Sequence, residues 1–472
     1  MMRPTAWHAW TWTDFAALEE KQRWVVIVPL HGFRAQADGT PLDAEGQRLA
    51  ALTAASFGPD AAGRVLVLPP VHFVAGPSDA CAFGVPADVA LAQLEELCLS
   101  VRAAGFSRVV FLNASPHNEG LCDAVARDLR VDHALQTFCI HLSALGLSDA
   151  TETDPCALGE AARALGGLIE EIAARPALPD DGVPVPPTPH SRGAARTLPD
   201  ISTGTATIVS SAGLELLSRD YRDRYLPAFS RHQLAALSGK AHSVVVVTTG
   251  AIEQHGPHLP VAVDARLGQV WLERALGCLP ADFPCYVAPA LTVGKSNEHT
   301  GFPGTLSLGR RTFHQLLRAV ARQVASWGFT RLAVLNTHGG NTPVLSYVLP
   351  ELEREFGLRV ARLVPDFDCD VSEQERTYGF HAGEVETAWM LAIAPGSVRR
   401  EQACAAYPAF LDAPGQLRPE AAPATFAWAT RDLSPSGVMG DATRATPENG
   451  RRWIERGAEA YARALRQFLE ER

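Results

Sequence analysis

A chain of 472 residues is too long for one ordinary hydrophobic core, so two domains or more are expected. Hydrophobic residues make up 47% and charged residues 20%, and the formal net charge is -10 with no Lys/Arg run; this is a globular composition that disfavours nucleic acid and anionic membranes as partners. No stretch approaches the ~18 apolar residues of a membrane span, the first residues lack a signal-peptide core, and the nine cysteines include no CxxC pair, which together predict a cytoplasmic protein with reduced thiols.

In chain order, residues 12–21 read as a short amphipathic helix and Val25–Leu30 as a buried strand. A helix over roughly 44–57 and a strand at Val65–Leu68 follow a polar loop. Over Pro86–Ala104, Val89, Leu94, Leu97 and Val101 are spaced to line one helix face, and Gly105 is placed to end it. Val109–Leu112 is the next strand, and Asn113 opens a polar loop. Residues 175–200 are too rich in proline for a continuous helix or a central strand and read as a long loop. Residues 201–217 share the layout of 433–454, so residues 201–228 are expected to belong to the first unit, which ends near 228. The four valines Val244–Val247 then read as a buried parallel strand, and Leu332–Leu335 as another.

The second half repeats the first. At an offset of 219, Phe15, Leu18 and Lys21 align with Leu234, Leu237 and Lys240, the strand at Val25 with that at Val244, and Phe83 with Phe302. A four-residue insertion later, GFSRVVFLN (105–113) aligns with GFTRLAVLN (328–336), and Asn118 with Asn341. At an offset of 224, Gly159-Glu160 aligns with Gly383-Glu384. A repeat of this length predicts two copies of one α/β fold.

Four polar clusters, each beside predicted regular structure, lie in the second copy. They are GAIEQHGPHLPVAVD (250–264), SNEHTGFPGTLSL (296–308), NTHGGN (336–341) and HAGEVET (381–387). Carboxylates and imidazoles delivered at the ends of parallel strands suit a metal site. His338 followed by two glycines offers one ligand beside backbone that a substrate can approach, with amides able to donate to an oxyanion. His381 and Glu384 are spaced to share a helical face.

Over about residues 229–472 these motifs, in this order, resemble those of the creatininase family of metal-dependent amidohydrolases. The resemblance implies a three-layer α/β/α fold with a mainly parallel sheet, here as two tandem copies, residues 1–228 and 229–472. It implies two divalent cations (zinc, manganese or iron), with Glu253 and His338 on one, His255 on the other, and Asp264 bridging both. Creatinine hydrolases proper take a further carboxylate from a variant of the third motif. Gly340 stands at that position here, so Glu384 becomes the candidate for the missing ligand or for the proton carrier. His381 matches the family's general acid/base position, and Glu386 matches a family glutamate grouped with the catalytic residues. Gly339, Gly340, Asn297 and His299 are the expected substrate contacts. The expected reaction is hydrolysis of a cyclic or linear amide by a metal-activated water, with His381 or Glu384 protonating the leaving nitrogen. Creatinine itself is disfavoured, because the Tyr-Glu pair after His338 is missing and residues 366–380 hold no tryptophan. The alternatives are a non-catalytic metal-binding or assembly protein that keeps the fold, and a site that hydrolyses something other than an amide, such as a strained ring ketone.

In the first copy, Arg34, Gln36, Glu45, Ser115, Ala157 and Ala162 face Glu253, His255, Asp264, His338, His381 and Glu386, and only Glu160 is retained, opposite Glu384. The first copy is therefore expected to be a pseudo-enzyme half. Its fusion to the second predicts a homo-oligomer, a trimer of fused chains, acting on a small-molecule amide.

Overall fold

The computed structural model describes residues 5–34, 39–57, 64–76, 81–147, 154–176, 218–408, 417–418, 424–425 and 427–470. Most of the proline-rich stretch, the segment 201–217 and Gln36 lie outside the described residues.

The first copy runs Val25–Leu30 (β1), Ala44–Ser56 (α1), Val65–Val67 (β2), Ala87–Ala103 (α2), Arg108–Asn113 (β3), Glu119–His133 (α3), Gln136–His141 (β4) and Pro155–Ala174 (α4). The second runs Val244–Thr249 (β5), Val263–Gly277 (α5), Cys285–Val287 (β6), Arg310–Ser326 (α6), Arg331–Asn336 (β7), Thr342–Phe356 (α7), Arg359–Arg362 (β8), Glu384–Ile393 (α8) and Pro447–Glu470 (α9). Each copy forms a four-stranded sheet, in the orders β2-β1-β3-β4 and β6-β5-β7-β8, and every pairing is parallel. The registers match as well as the orders: Val25 pairs with Arg108 as Val244 pairs with Arg331. The short helices before β1 and β5 even start alike, with a capping box at Thr11/Asp14 and another at Ser230/Gln233.

Burial explains the layering. β1 and β5 are buried at every position, as strands covered on both faces must be. Val25 and Ile27 face an outer core with Leu49 of α1 and Leu165 of α4, while Val26 and Val28 face inward. Val244 and Val246 likewise face Trp271 of α5 and Leu465 of α9, and Val245 and Val247 face inward. The two inward faces meet in one core that contains α2 and α3 from one copy and α6 and α7 from the other. α2 packs on its own counterpart α6, so the copies dock through homologous surfaces.

Two alignments from the sequence change. Tyr221 and Tyr225 lie in the outer core of the second copy, and Tyr225 bridges to Val287 as Ala6 bridges to Val67. Residues from about 218 therefore pack with the second scaffold, ahead of the expected boundary near 228. The pairing of Glu160 with Glu384 also fails: Glu160 is exposed within α4, whereas Glu384 is buried at the start of α8. α4 packs on α1, and the helix that packs on the matching α5 is α9. The segment carrying HAGEVET lies between β8 and α9, in a connection far longer than that between β4 and α4.

Candidate metal centre

The second copy's motifs converge beyond the C-terminal ends of β5 and β7, two adjacent central strands. Glu253 and His255 sit on the loop after β5, Asp264 in the first turn of α5, and His338 two residues past β7. His381 precedes α8 and Glu386 lies in its first turn. Glu253, His255, Asp264 and His338 are all at most 4% exposed.

Asp264 lies at the middle. Its Oδ1 is 3.5 Å from His255 Nε2 and its Oδ2 is 3.3 Å from His338 Nδ1. Glu253 Oε1 is 3.2 Å from the same His338 Nδ1, and Glu386 Oε2 is 3.7 Å from His255 Nε2. Two donor groups result, Glu253–Asp264–His338 and His255–Asp264–Glu386, and they share Asp264. A third group joins Glu253, His255 and His381.

The outer nitrogens of the imidazoles are tied down. His255 Nδ1 lies 3.0 Å from the Glu253 carbonyl oxygen, and His338 Nε2 lies 3.0 Å from that of Lys295. Each ring donates there and so turns its other nitrogen into the cluster, where a cation can take the place of its proton. Glu253 Oε2, His255 Nε2 and Asp264 Oδ2 are buried without a hydrogen-bond partner among the described residues. Burying such groups unsatisfied is costly, and divalent cations held there would satisfy all three. The mixed N/O donor set fits divalent zinc, manganese or iron.

The electrostatics agree. Burial pushes Glu253 up to about 7, against the opposing pull of His338. Burial would raise Asp264 too, but His255 and His338 outweigh it and hold this carboxyl well below the usual range. Burial would lower His255, yet Asp264 and Glu386 carry it up to about 10. His338 moves the same way, with Glu253 and Asp264 overcoming burial. His299 and His381 go down, through burial and then through neighbouring imidazoles. The carboxylates therefore recruit positive charge at His255 and His338, and cation binding would displace those protons.

The other expected residues are distributed unevenly. His299 Nε2 is 3.5 Å from Glu253 Oε1, and its ring stacks on His381 at 4.4 Å. Asn297 is exposed. At Gly340 a Cβ would strike Glu298 Oε1 and His338 Nε2, so this glycine admits contacts around His338, while Gly339 faces open space. Glu384 lies outside all three donor groups, with Oε2 3.6 Å from Arg444 Nε and its backbone N–H donating to Glu375 Oε1 at 2.7 Å. Glu386, not Glu384, completes the second donor group. The expected shared face of His381 and Glu384 is absent, because the helix starts at Glu384 and Ala382 is left-handed at φ 54°. That turn lets Ala382 N donate to Glu386 Oε2 at 2.6 Å.

Sequence reasoning missed three supports. Gln254 Nε2 donates to the Gly437 carbonyl at 3.1 Å, and the Gln254 carbonyl accepts from His381 Nε2 at 2.8 Å. Thr430 Oγ1 holds His299 Nδ1 at 2.8 Å. Buried Glu375 accepts from Tyr407 Oη at 2.7 Å and Asp441 N at 2.9 Å besides Glu384 N, which fixes the approach to α8. Only Gln254 carried a signal, its position between Glu253 and His255, and a neutral amide there does not announce a role.

The family model for creatininase, described as creatinine amidohydrolase, matches residues 8–167 and again 228–465. The mycofactocin precursor peptide peptidase of Mycolicibacterium smegmatis (strain ATCC 700084 / mc(2)155) is 34% identical over 221 residues, which covers 46% of this chain and 82% of that protein. The creatinine amidohydrolase of Pseudomonas putida is 32% identical over 176 residues, covering 33% of this chain and 66% of that one. A crystal structure of creatinine amidohydrolase is similar with a TM-score of 0.44 and 24% identity, covering 53% of this chain and 99% of that chain. Matched through both halves, with its motif residues gathered in one of them, the chain belongs to the creatininase family.

Proposed function

We propose that the second half is a metal-dependent amidohydrolase that cleaves a C–N bond of a cyclic or linear amide, and that the first half is a catalytically silent support. The observation that carries this reading is the pair of buried donor groups sharing Asp264. Glu253, His338 and Asp264 would hold one divalent cation, and His255, Glu386 and Asp264 the other. Bound there, such a pair supplies Lewis-acid polarisation of a carbonyl and an acidified water.

The chain's own residues supply the rest. His381 donates its Nε2 proton to the Gln254 carbonyl, which leaves Nδ1 as the lone-pair nitrogen, 3.8 Å from Glu253 Oε1. That nitrogen is the proton carrier for the leaving amine. His299, held by Thr430, closes the same side of the site and orients the substrate with Asn297 and the Gly339 amide. Glu384, paired with Arg444, is a positioning residue at the start of α8. Two of the relatives are named for peptide and creatinine substrates, so the class proposed is an amide. The docking of the copies through homologous surfaces lets one chain stand in for a pair, and the assembly proposed is a cytoplasmic trimer of such fused chains.

The test is metal analysis of the purified chain together with a panel of creatinine, lactams, formamides and short peptides. Two bound cations and turnover on one amide class are expected. Two cations with no turnover on any of them would favour the non-catalytic binding reading.

A further inference from the structure

The arm that precedes β1 in the ligand-poor half crosses to the other half and touches the loops that carry the site. The Trp10 carbonyl accepts from Val261 N at 2.9 Å, and the Val261 carbonyl accepts from Glu253 N at 2.8 Å. Two hydrogen bonds thus separate the arm from a metal-facing carboxylate residue. Trp7 Nε1 donates to the Gly304 carbonyl at 2.9 Å, and Phe15 fills the space that a Cβ at Gly304 would need. The next residue, Thr305, accepts from Gln254 N at 3.1 Å.

The third contact is ionic. The Asp14 carboxylate pairs with the Arg399 guanidinium, and both side chains are only 8% exposed. Arg399 Nη1 also donates to Thr11 Oγ1 at 3.3 Å. The backbone N–H of Arg399 donates to the His258 carbonyl at 2.9 Å. His258 Nε2 in turn shares a hydrogen bond of 2.8 Å with Thr387 Oγ1, the residue after Glu386. His258 thus joins the loop holding His255 to the helix holding Glu386, and Arg399, anchored by the ion pair, braces His258 from outside.

The opposite arm makes only part of this contact. Leu42 N donates to the Phe229 carbonyl at 3.1 Å, as Val261 N does to Trp10. At the position matching Asp14 stands Gln233, whose Oε1 accepts from Ser230 N within its own capping box. Among the described residues, the ionic clasp is made only toward the half that keeps the ligands.

We infer that Asp14 and Arg399 are positioning residues through which the ligand-less half holds the two donor groups of the other half in register. The inference rests on the proposed metal centre. Partners bonded directly to metal-ligating side chains account for ~10–100-fold in metal affinity; Asp14 and Arg399 act one contact further out, which sets the expectation at the low end, and removal of either partner strands the other's buried charge.

The experiment titrates zinc alone into chelator-stripped full-length protein, at a temperature where circular dichroism shows every variant folded. Asp14→Asn and Arg399→Gln should each weaken zinc binding about tenfold, with the loss greatest for the second ion. Asp14→Glu should recover most of the affinity, as should the swapped pair Asp14→Arg/Arg399→Asp. Unchanged zinc affinity in both single variants overturns the inference and leaves the metal centre standing. A swapped pair no better than the single variants also overturns it, because the loss would then reflect packing. Failure of the wild-type chain to take up zinc overturns both the inference and the reading beneath it.

Discussion

The two halves place a carboxylate in the same buried corner and neutralise it differently. Glu45 in α1 and Asp264 in α5 occupy matching first-turn positions, and both are at most 2% exposed. In the second half Asp264 faces Glu253, His255 and His338, a set that calls for cations. In the first half Arg34 stands where Glu253 would be, and its Nε lies 2.8 Å from Glu45 Oε1. A guidinium-type cation built into the chain does there what metal ions are proposed to do in the other half. The loop below is unchanged: Asn113 Nδ2 donates to the Ser115 carbonyl at 2.8 Å, as Asn336 Nδ2 does to His338 at 2.7 Å. The same loop geometry thus presents Ser115 in one half and His338 in the other.

The largest effect is expected from Asp264→Ala, which removes the shared carboxylate. Activity should fall beyond the ~10–100-fold typical of outer-contact losses, and mass spectrometry of the dialysed protein should find neither cation. Two metals retained per chain would remove Asp264 from the bridge.

Glu386→Gln and Glu384→Gln separate two neighbours that the sequence did not. The first should weaken binding of one cation and reduce turnover ~10-fold or more. The second should leave both cations bound, since Glu384 faces Arg444. Equal metal loss in the two variants would put Glu384 back among the ligands.

Arg34→Ala tests the first half's substitute for a metal. It strands the buried Glu45 carboxylate and should cost about 3 kcal/mol, the low end for a broken buried pair because Arg34 is 19% exposed. Urea denaturation would measure it, and a change under about 0.5 kcal/mol would show that the pair is not needed. Glu45→Ala should matter least to catalysis, with turnover within about twofold of wild type. A loss as deep as that of Asp264→Ala would mean that the first half also carries chemistry.

Much of this was legible in the sequence. The valine runs of β1 and β5 declare strands covered on both faces, and the repeated GF-x-R strand start declares the duplication. Glu253, His255, Asp264 and His338 were readable because each sits in a motif beside a strand or helix end. Glu386 was legible as a site residue but not as the ligand in preference to Glu384, because helical spacing was counted from His381, whereas the left-handed Ala382 starts a new path before α8. The match of Glu160 with Glu384 misled because α4 takes the place of α9, a substitution that only packing reveals. The arm of residues 7–15 gave no hint, since its partners lie more than 200 positions away in the chain.

The account stands or falls on one metal-binding half per chain. The most direct measurement is anomalous diffraction from crystals grown with zinc, which locates every bound ion. It predicts two peaks per chain, both beside Asp264, and none beside Glu45. A peak between Arg34 and Glu45, or an empty corner at Asp264, would contradict it.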